Sequence, residues 1–152
     1  MDARIGQPAM VLPNAMAALQ GLGAAIGEVG LPETTVLLVN ARVSQINGCA
    51  VCLEGELRDA RKLGETEDRL LLVAAWRETP YYSPAERAAL ALAEVVTLVS
   101  HRQDPVPDDV WQAAAEHYDE RQLAALVLQI ANINLWNRLN IATAQQAGVH
   151  TW

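Results

Sequence analysis

Residues 44–64, SQINGCAVCLEGELRDARKLG, contain both cysteines of the chain and a sharp turn signal between two helical patterns. Asn47 and Gly48 both tolerate the left-handed backbone conformation at which helices stop, so a helix is predicted to end there. A second helix is predicted to begin around Cys49 and to run to Leu63, with Gly64 as its stop. The stretch therefore predicts a Cys-x-x-Cys motif at the N-terminus of a helix.

The rest of the chain also predicts helices, because no run alternates apolar and polar residues between turn signals as strands do. Ser83, Pro84 and Glu86 form a capping box that starts one helix, and Asp119 with Gln122 repeats the pattern. The other predicted helices cover residues 13–29, 33–46, 67–76, with Thr66 as the cap, and 108–117, and the last is a long apolar run over 123–146. We predict an all-α fold and a single domain over residues 1–152.

The composition of the chain limits the classes of function that it can have. The 152 residues carry a net charge of −7 with only 11 Lys and Arg, which argues against nucleic-acid binding. The N-terminus lacks the pattern of a signal peptide, and no stretch approaches the roughly 20 apolar residues of a membrane span. We therefore expect a cytoplasmic protein that binds no membrane. In a reducing compartment, two closely spaced cysteines are more often reactive or metal-binding than structural.

Three interpretations of the cysteine pair remain open at this point. One turn of helix places Cys49 and Cys52 on one face, so they can form a disulfide, and the helix dipole favours Cys49 as the thiolate. A zinc site needs two more ligands, and His101, His117 and His150 lie at no usual ligand spacing. The third interpretation is that both cysteines simply fill buried space. We expect neither a metal nor a cofactor.

Several separated segments carry a family resemblance. VSQINGCAVC, LRDARKLGE, YSPAERAALALAEVVT, VPDDVW and NINLWNRLNIA, in this order over roughly residues 33–145, resemble the AhpD-like alkylhydroperoxidase branch of the carboxymuconolactone decarboxylase superfamily. The resemblance implies an AhpD-like helical fold around a helical hairpin that bears the cysteines, and an obligate homo-oligomer. It also implies that Cys52 attacks a peroxide, that Cys49 closes the disulfide, and that a dithiol reductant protein or a small thiol resets the pair.

The proton relay of that family is altered here. The family places a glutamate twelve residues before the first cysteine and a histidine four residues after the second, and these positions hold Leu37 and Glu56. Leucine transfers no proton. Glu56 is a candidate base, but a carboxylate beside a thiol raises the pKa of that thiol unless a cation such as Arg42 or Arg58 compensates.

Other polar residues have two interpretations each. Glu94 is either an inward carboxyl with a raised pKa that serves as a base, or a flank residue paired with a basic neighbour. Asn134 and Asn137 are expected to tie helices together through hydrogen bonds. His117 is expected at a helix end or on the surface, and Trp136 in the core or at an interface.

The predicted function is a thiol-dependent peroxidase for hydrogen peroxide or small organic hydroperoxides, with Cys52, Cys49, Glu56 and Glu94 as the candidate catalytic residues. One alternative is a dithiol redox partner or sensor, because thiol exchange depends less on a proton donor. Another is a catalytically impaired oligomeric scaffold or small-molecule binding protein, which the loss of the relay residues favours. Decarboxylase chemistry is a weaker interpretation, since it does not depend on the cysteine pair.

Overall fold

The computed structural model describes residues 2–101 and 103–149, and His150 lies outside these ranges. The described residues form helices and no strand, which confirms the all-α prediction. In chain order the helices are α1 (Pro8–Val11), α2 (Ala15–Gly27), α3 (Glu33–Asn47), α4 (Ala50–Leu63), α5 (Glu67–Leu72), α6 (Pro84–Thr97), α7 (Asp108–Ala115) and α8 (Glu120–Ala142). Two 3-10 helices cover Val73–Glu78 and Val99–His101.

The turn between α3 and α4 positions the cysteines. Gly48 has a positive φ of 73°, and its N–H donates to the carbonyl of Gln45 at 3.3 Å. The N–H of Cys49 donates to the carbonyl of Ser44 at 2.9 Å, which completes a Schellman helix stop. Cys49 then caps α4 in an extended conformation. Because α3 and α4 pack against each other directly after this turn, they form the predicted helical hairpin with the cysteines at its bend.

The other predicted start signals are confirmed. Ser83 and Asp119 both make complete capping boxes, with Glu86 and Gln122 as their partners. Thr66 accepts the N–H of Arg69 and caps α5. Each cap depends on hydrogen bonds between residues three apart in the chain, so it can be recognised from the local sequence.

Several helices differ from their predicted bounds by more than one residue, among them α7, which ends at Ala115 and not at 117. α2 begins at Ala15 because Asn14 takes a left-handed conformation (φ 65°), and α8 ends at Ala142, before Ala144 (φ 55°). α5 tightens into a 3-10 helix at Val73. A kink at Ala75 (φ −120°, ψ 34°) interrupts this segment, and Val73 and Trp76 on either side of it are both buried against Leu38 of α3 and other core residues.

Helix α3 lies at the centre of the fold, where it contacts α4, α6 and α8. One side of α8 packs into the main apolar core through Leu126, Ile130 and other buried residues. On the opposite side of α8, Leu128 is 47% exposed. The helix is therefore not buried on all sides, although its sequence is apolar almost all round. No helix in the described part of the chain is long and apolar enough to cross a bilayer.

Candidate functional site

The two cysteine sulfurs lie 2.7 Å apart as free thiols. Cys49 is 2% exposed, whereas Cys52 is half-buried. A disulfide between them requires little movement of the backbone, since Cys49 is the N-cap residue of α4 and Cys52 lies in its first turn. Cys52 is therefore the more accessible sulfur, and Cys49 is shielded from solvent beside it.

The two thiols share their ionisation. The pKa of Cys49 is lowered to about 6, first because the Cys52 thiol hydrogen-bonds to its sulfur, although burial opposes this. The backbone N–H of Cys52 and the amides of Asn140 and Asn137 lower it further. The pKa of Cys52 is raised, because its thiol is engaged by Cys49 and because burial disfavours a second charge. The pair thus loses one proton readily and retains the other between its sulfurs.

A cavity of about 260 Å³ opens beside Cys52. Its walls come from α3, α4 and α8, and its residues include Cys52, Glu56, Asn140 and Trp136. Trp136, expected in the core or at an interface, thus contributes to the wall of this cavity. Cys49 does not line the cavity, so Cys52 is the sulfur that faces it.

Glu56 lies one helical turn after Cys52 and lines the same cavity. Burial raises the pKa of Glu56 to about 8, the negative charge of Asp59 raises it further, and a hydrogen bond with Asn40 opposes the shift. Asn40 accepts a hydrogen bond from Gln129 Nε2 at 2.8 Å on its own oxygen, which leaves its NH2 to donate to Glu56. At neutral pH Glu56 is therefore mostly an uncharged acid, and the expected repulsion between a carboxylate and the thiolate does not arise.

A second cavity of about 470 Å³ adjoins the first. Leu37 is 3% exposed and lines this larger cavity together with Glu56. The two positions that the resemblance assigns to the relay therefore share one space. The two cavities have Asn40, Glu56, Asp59 and Gln129 in common, so these side chains stand between the larger cavity and Cys52.

The asparagines of α8 tie this helix to the hairpin, as predicted. Asn47 Nδ2 donates to Asn134 Oδ1 and to Asn137 Oδ1, both at 2.9 Å. Asn137 Nδ2 in turn donates to Ser44 Oγ at 3.0 Å. These bonds hold the residues around the Gly48 turn against α8, which fixes the cysteines relative to the cavity walls.

Glu94 does not belong to the site. It lines neither cavity, and it accepts hydrogen bonds from Arg42 at 2.7 Å, from Arg77 at 2.8 Å and from Trp76 Nε1 at 3.0 Å. Although burial alone would raise its pKa, these three donors lower it below the ordinary value. The expectation of a raised pKa and of a base at Glu94 is therefore wrong, and the alternative of a basic partner describes it.

Of the other residues considered above, Arg42 is engaged by Glu94, while Arg58 lines the Cys52 cavity. His117 is exposed just after α7, as expected. Among the described residues no three potential metal ligands come together.

Three amides that were not predicted from the sequence face Glu56 or Cys52. They are Asn40, Gln129 and Asn140. Asn140 Nδ2 donates to Cys52 Sγ at 3.4 Å. A signal for Asn140 was present, because Asn134, Asn137 and Asn140 recur every third residue in an apolar helix. Nothing local marks Asn40 or Gln129, which meet only through the packing of α3 against α8.

Comparison with protein families agrees with the fold. Residues 13–95 match the sequence profile described as the carboxymuconolactone decarboxylase family. The chain is 42% identical over 137 residues to the uncharacterized protein YdfG of Bacillus subtilis (strain 168), covering 90% of this chain and 92% of YdfG. It is 36% identical over 107 residues to the uncharacterized protein YnjA of Escherichia coli (strain K12), covering 69% of this chain and 56% of YnjA.

Solved structures share the architecture. The crystal structure of ATU0492 from Agrobacterium tumefaciens, a protein of unknown function proposed as the antioxidant defence protein AhpD, superposes with a TM-score of 0.89 at 30% identity. That match covers 98% of this chain and 100% of the other. The debrominase Bmp8 superposes with a TM-score of 0.75 at 21% identity, over 90% of this chain and 73% of Bmp8, which shows a common fold alone.

Proposed function

Because the chain belongs to the carboxymuconolactone decarboxylase family and has an AhpD-like fold, we propose that it is a thiol-dependent peroxidase that cycles Cys49 and Cys52 between dithiol and disulfide. One observation carries the proposal. The half-buried Cys52 and the protonated Glu56 line one cavity, while the buried Cys49 lies 2.7 Å from the Cys52 sulfur. A nucleophile, a proton donor and a resolving thiol are thus available at one point.

The reaction follows from this arrangement. Because the pKa of Cys49 is the lower of the two, the shared proton lies mainly on Cys52. When this proton moves to Cys49, the Cys52 thiolate attacks the terminal oxygen of a hydroperoxide and the O–O bond breaks. The leaving alkoxide or hydroxide takes the proton of Glu56, which leaves a sulfenic acid on Cys52 and a carboxylate on Glu56. Cys49 then attacks the Cys52 sulfur, so that a disulfide and water form. An external dithiol protein or small thiol supplies the two electrons that restore the pair.

Glu56 takes the place of the altered relay in this proposal. A general acid is most effective when its pKa lies near the working pH, and the pKa of Glu56 is about 8. Leu37 needs no proton-transfer role here, since it forms an apolar wall of the larger cavity. The two departures from the family pattern therefore fit one site.

The test is a count of free thiols before and after a stoichiometric pulse of cumene hydroperoxide, with the product identified by intact mass. We expect the loss of two thiols per chain, one intramolecular disulfide and one equivalent of alcohol. If the thiols react no faster than free cysteine, the peroxidase proposal is wrong. A disulfide that forms rapidly with an oxidised dithiol protein but not with the hydroperoxide would favour the redox-partner alternative.

The larger cavity supports an organic substrate, because a space of about 470 Å³ with both apolar and polar lining residues adjoins Glu56. Gly23 lines this cavity, and a Cβ placed there meets no atom within 4 Å. Gly23→Leu is therefore expected to fold at least as well as the parent, since glycine weakens a helix interior. We expect turnover of cumene hydroperoxide to fall about tenfold or more while turnover of hydrogen peroxide is unchanged.

Gly21→Leu is the matched control for that comparison. Gly21 belongs to the same helix and also has open space around its Cβ position, but it does not line the cavity. Turnover of both peroxides should be unaffected. Equal losses for both substrates in Gly23→Leu would contradict the assignment of the larger cavity to the organic part.

The proposal includes a homo-oligomer that packs through the outer side of α8. Ala124, Leu128, Ala131 and Leu135 follow one another at intervals of four, three and four residues, and the first three are exposed. An apolar stripe of this kind on a helix favours burial against a second copy. We expect Leu128→Glu to lower the mass measured by sedimentation equilibrium, whereas Leu71→Glu, 74% exposed in the parent and located on α5, leaves it unchanged. Equal masses for the parent and Leu128→Glu would contradict this interface.

A further inference from the structure

The segment before α1 is attached to the C-terminal end of α8. The N–H of Arg4 donates to the carbonyl of Thr143 at 2.9 Å, and Gln145 Nε2 donates to the carbonyl of Ile5 at 3.0 Å. These bonds join residues about 140 positions apart in the chain. They bring Gln7, which caps α1, to the end of α8.

Three hydrogen bonds determine how two buried amides are oriented. The backbone N–H of Ala9 donates to Gln7 Oε1 at 2.6 Å, so the other end of this side chain is its NH2 group. Gln7 Nε2 donates to Asn140 Oδ1 at 3.4 Å, and the Asn140 NH2 consequently faces Cys52 Sγ, also at 3.4 Å. Gln7 is 5% exposed and Asn140 is 3% exposed, so water does not compete for either amide.

We infer that Gln7 and Asn140 are positioning residues, and that together they hold a hydrogen-bond donor on the Cys52 sulfur. A backbone N–H can only donate, so it imposes one direction on the whole chain of bonds from Ala9 to Cys52. With the Asn140 amide reversed, its oxygen would face the sulfur and oppose the thiolate. The inference rests on the proposed function only in that Cys52 is taken as the reacting sulfur.

The charged groups around the Cys52 sulfur do not change when the Asn140 amide is removed, so the effect of that amide on the thiol can be measured. Among the described residues, the charged or titratable groups that line the Cys52 cavity all belong to α4, namely Cys52, Glu56, Arg58 and Asp59. Cys49 faces Cys52 from the start of the same helix. The polar side chains that α3 and α8 add to the wall are uncharged, namely Asn40, Gln129, Asn132, Trp136 and Asn140. Replacing Gln7 or Asn140 by an apolar residue therefore changes no charge beside the sulfur.

The experiment measures the pH dependence of Cys52 alkylation by iodoacetamide in the reduced full chain, with the modified cysteine identified by peptide mass. Asn140→Leu is expected to raise the midpoint by about one pH unit, so that alkylation at pH 6 slows about fivefold. Gln7→Met should raise it in the same direction by a smaller amount, because the Asn140 amide is then free to reverse. In the double variant the midpoint should equal that of Asn140→Leu alone.

Two further variants keep the result interpretable. Arg4→Met removes another attachment of the N-terminal segment and should leave the midpoint unchanged. Asn140→Asp preserves the shape and replaces the donor by an acceptor, so it should raise the midpoint at least as far as Asn140→Leu. The inference is overturned if Gln7→Met shifts the midpoint equally with and without Asn140, or if Arg4→Met shifts it as much. Alkylation by iodoacetamide involves no peroxide chemistry. If these shifts of the midpoint are found and the peroxide assay fails, only the proposed function is rejected.

Discussion

Replacing Cys52 with serine is expected to abolish disulfide formation and to slow hydroperoxide consumption by roughly 10³-fold or more, as removal of a nucleophile commonly does. Cys52 is the sulfur that lines the cavity, whereas Cys49 is 2% exposed and has no opening toward a substrate. The measurement is peroxide consumption together with a thiol count, on reduced protein. Cys49 should remain unmodified in this variant.

Cys49→Ser is the matched control, because it removes the other sulfur of the same contact. It is expected to consume one equivalent of hydroperoxide and then to stop, with a sulfenic acid left on Cys52 that dimedone can trap. Serine cannot resolve that intermediate into a disulfide. If the two variants exchange behaviours, Cys49 is the nucleophile, as the helix dipole by itself favours.

Glu56→Gln should lower the rate of disulfide formation by roughly 10²-fold, which is typical for the loss of a general acid. It should also change the pH profile. The parent rate is expected to rise as the pair loses its first proton, for which the pKa of Cys49 is about 6. It should fall as Glu56 ionises, with a pKa of about 8, because the carboxylate has no proton to donate. Stopped-flow rates from pH 5 to pH 10 should therefore give a bell-shaped pH profile for the parent. The Glu56→Gln variant should retain only the rise on the acidic side.

Asp59→Asn tests whether the alkaline limb belongs to Glu56. Asp59 lines the same cavity, and its negative charge raises the pKa of Glu56. Removing that charge should move the alkaline limb to lower pH and leave the acidic limb in place. An alkaline limb that persists in Glu56→Gln would assign it to another group and remove Glu56 from the mechanism.

The helical elements could be predicted wherever their signals are local. The Asn47-Gly48 stop and the capping boxes at Ser83 and Asp119 depend on residues within one or two turns, and each appears in the structure. The tightening of the chain at Val73 was not predictable in this way. It depends on burial against α3, which is distant in sequence.

The charge states of two carboxyls could not be read from the sequence. From the sequence, Glu56 is a carboxylate that opposes the thiolate, yet burial among α3, α4 and α8 makes it a mostly neutral acid. One interpretation of Glu94 was a carboxyl with a raised pKa, yet hydrogen bonds from Arg42, Arg77 and Trp76 lower its pKa and hold it ionised. Spacing along one helix does not reveal which side chains of other helices arrive at a carboxyl, and these neighbours decide its pKa.

The sequence by itself determined the all-helical class, the helix stop before the cysteines, the disulfide-compatible spacing of Cys49 and Cys52, and the departures at Leu37 and Glu56. These properties follow from backbone preferences and from contacts within one or two helical turns. Only the tertiary structure decided which sulfur faces a cavity, that Glu56 is protonated, and that Asn140 directs its NH2 toward Cys52. Each of these depends on desolvation and hydrogen bonds between residues that are up to 133 positions apart, such as Gln7 and Asn140, and that become neighbours only when the helices pack.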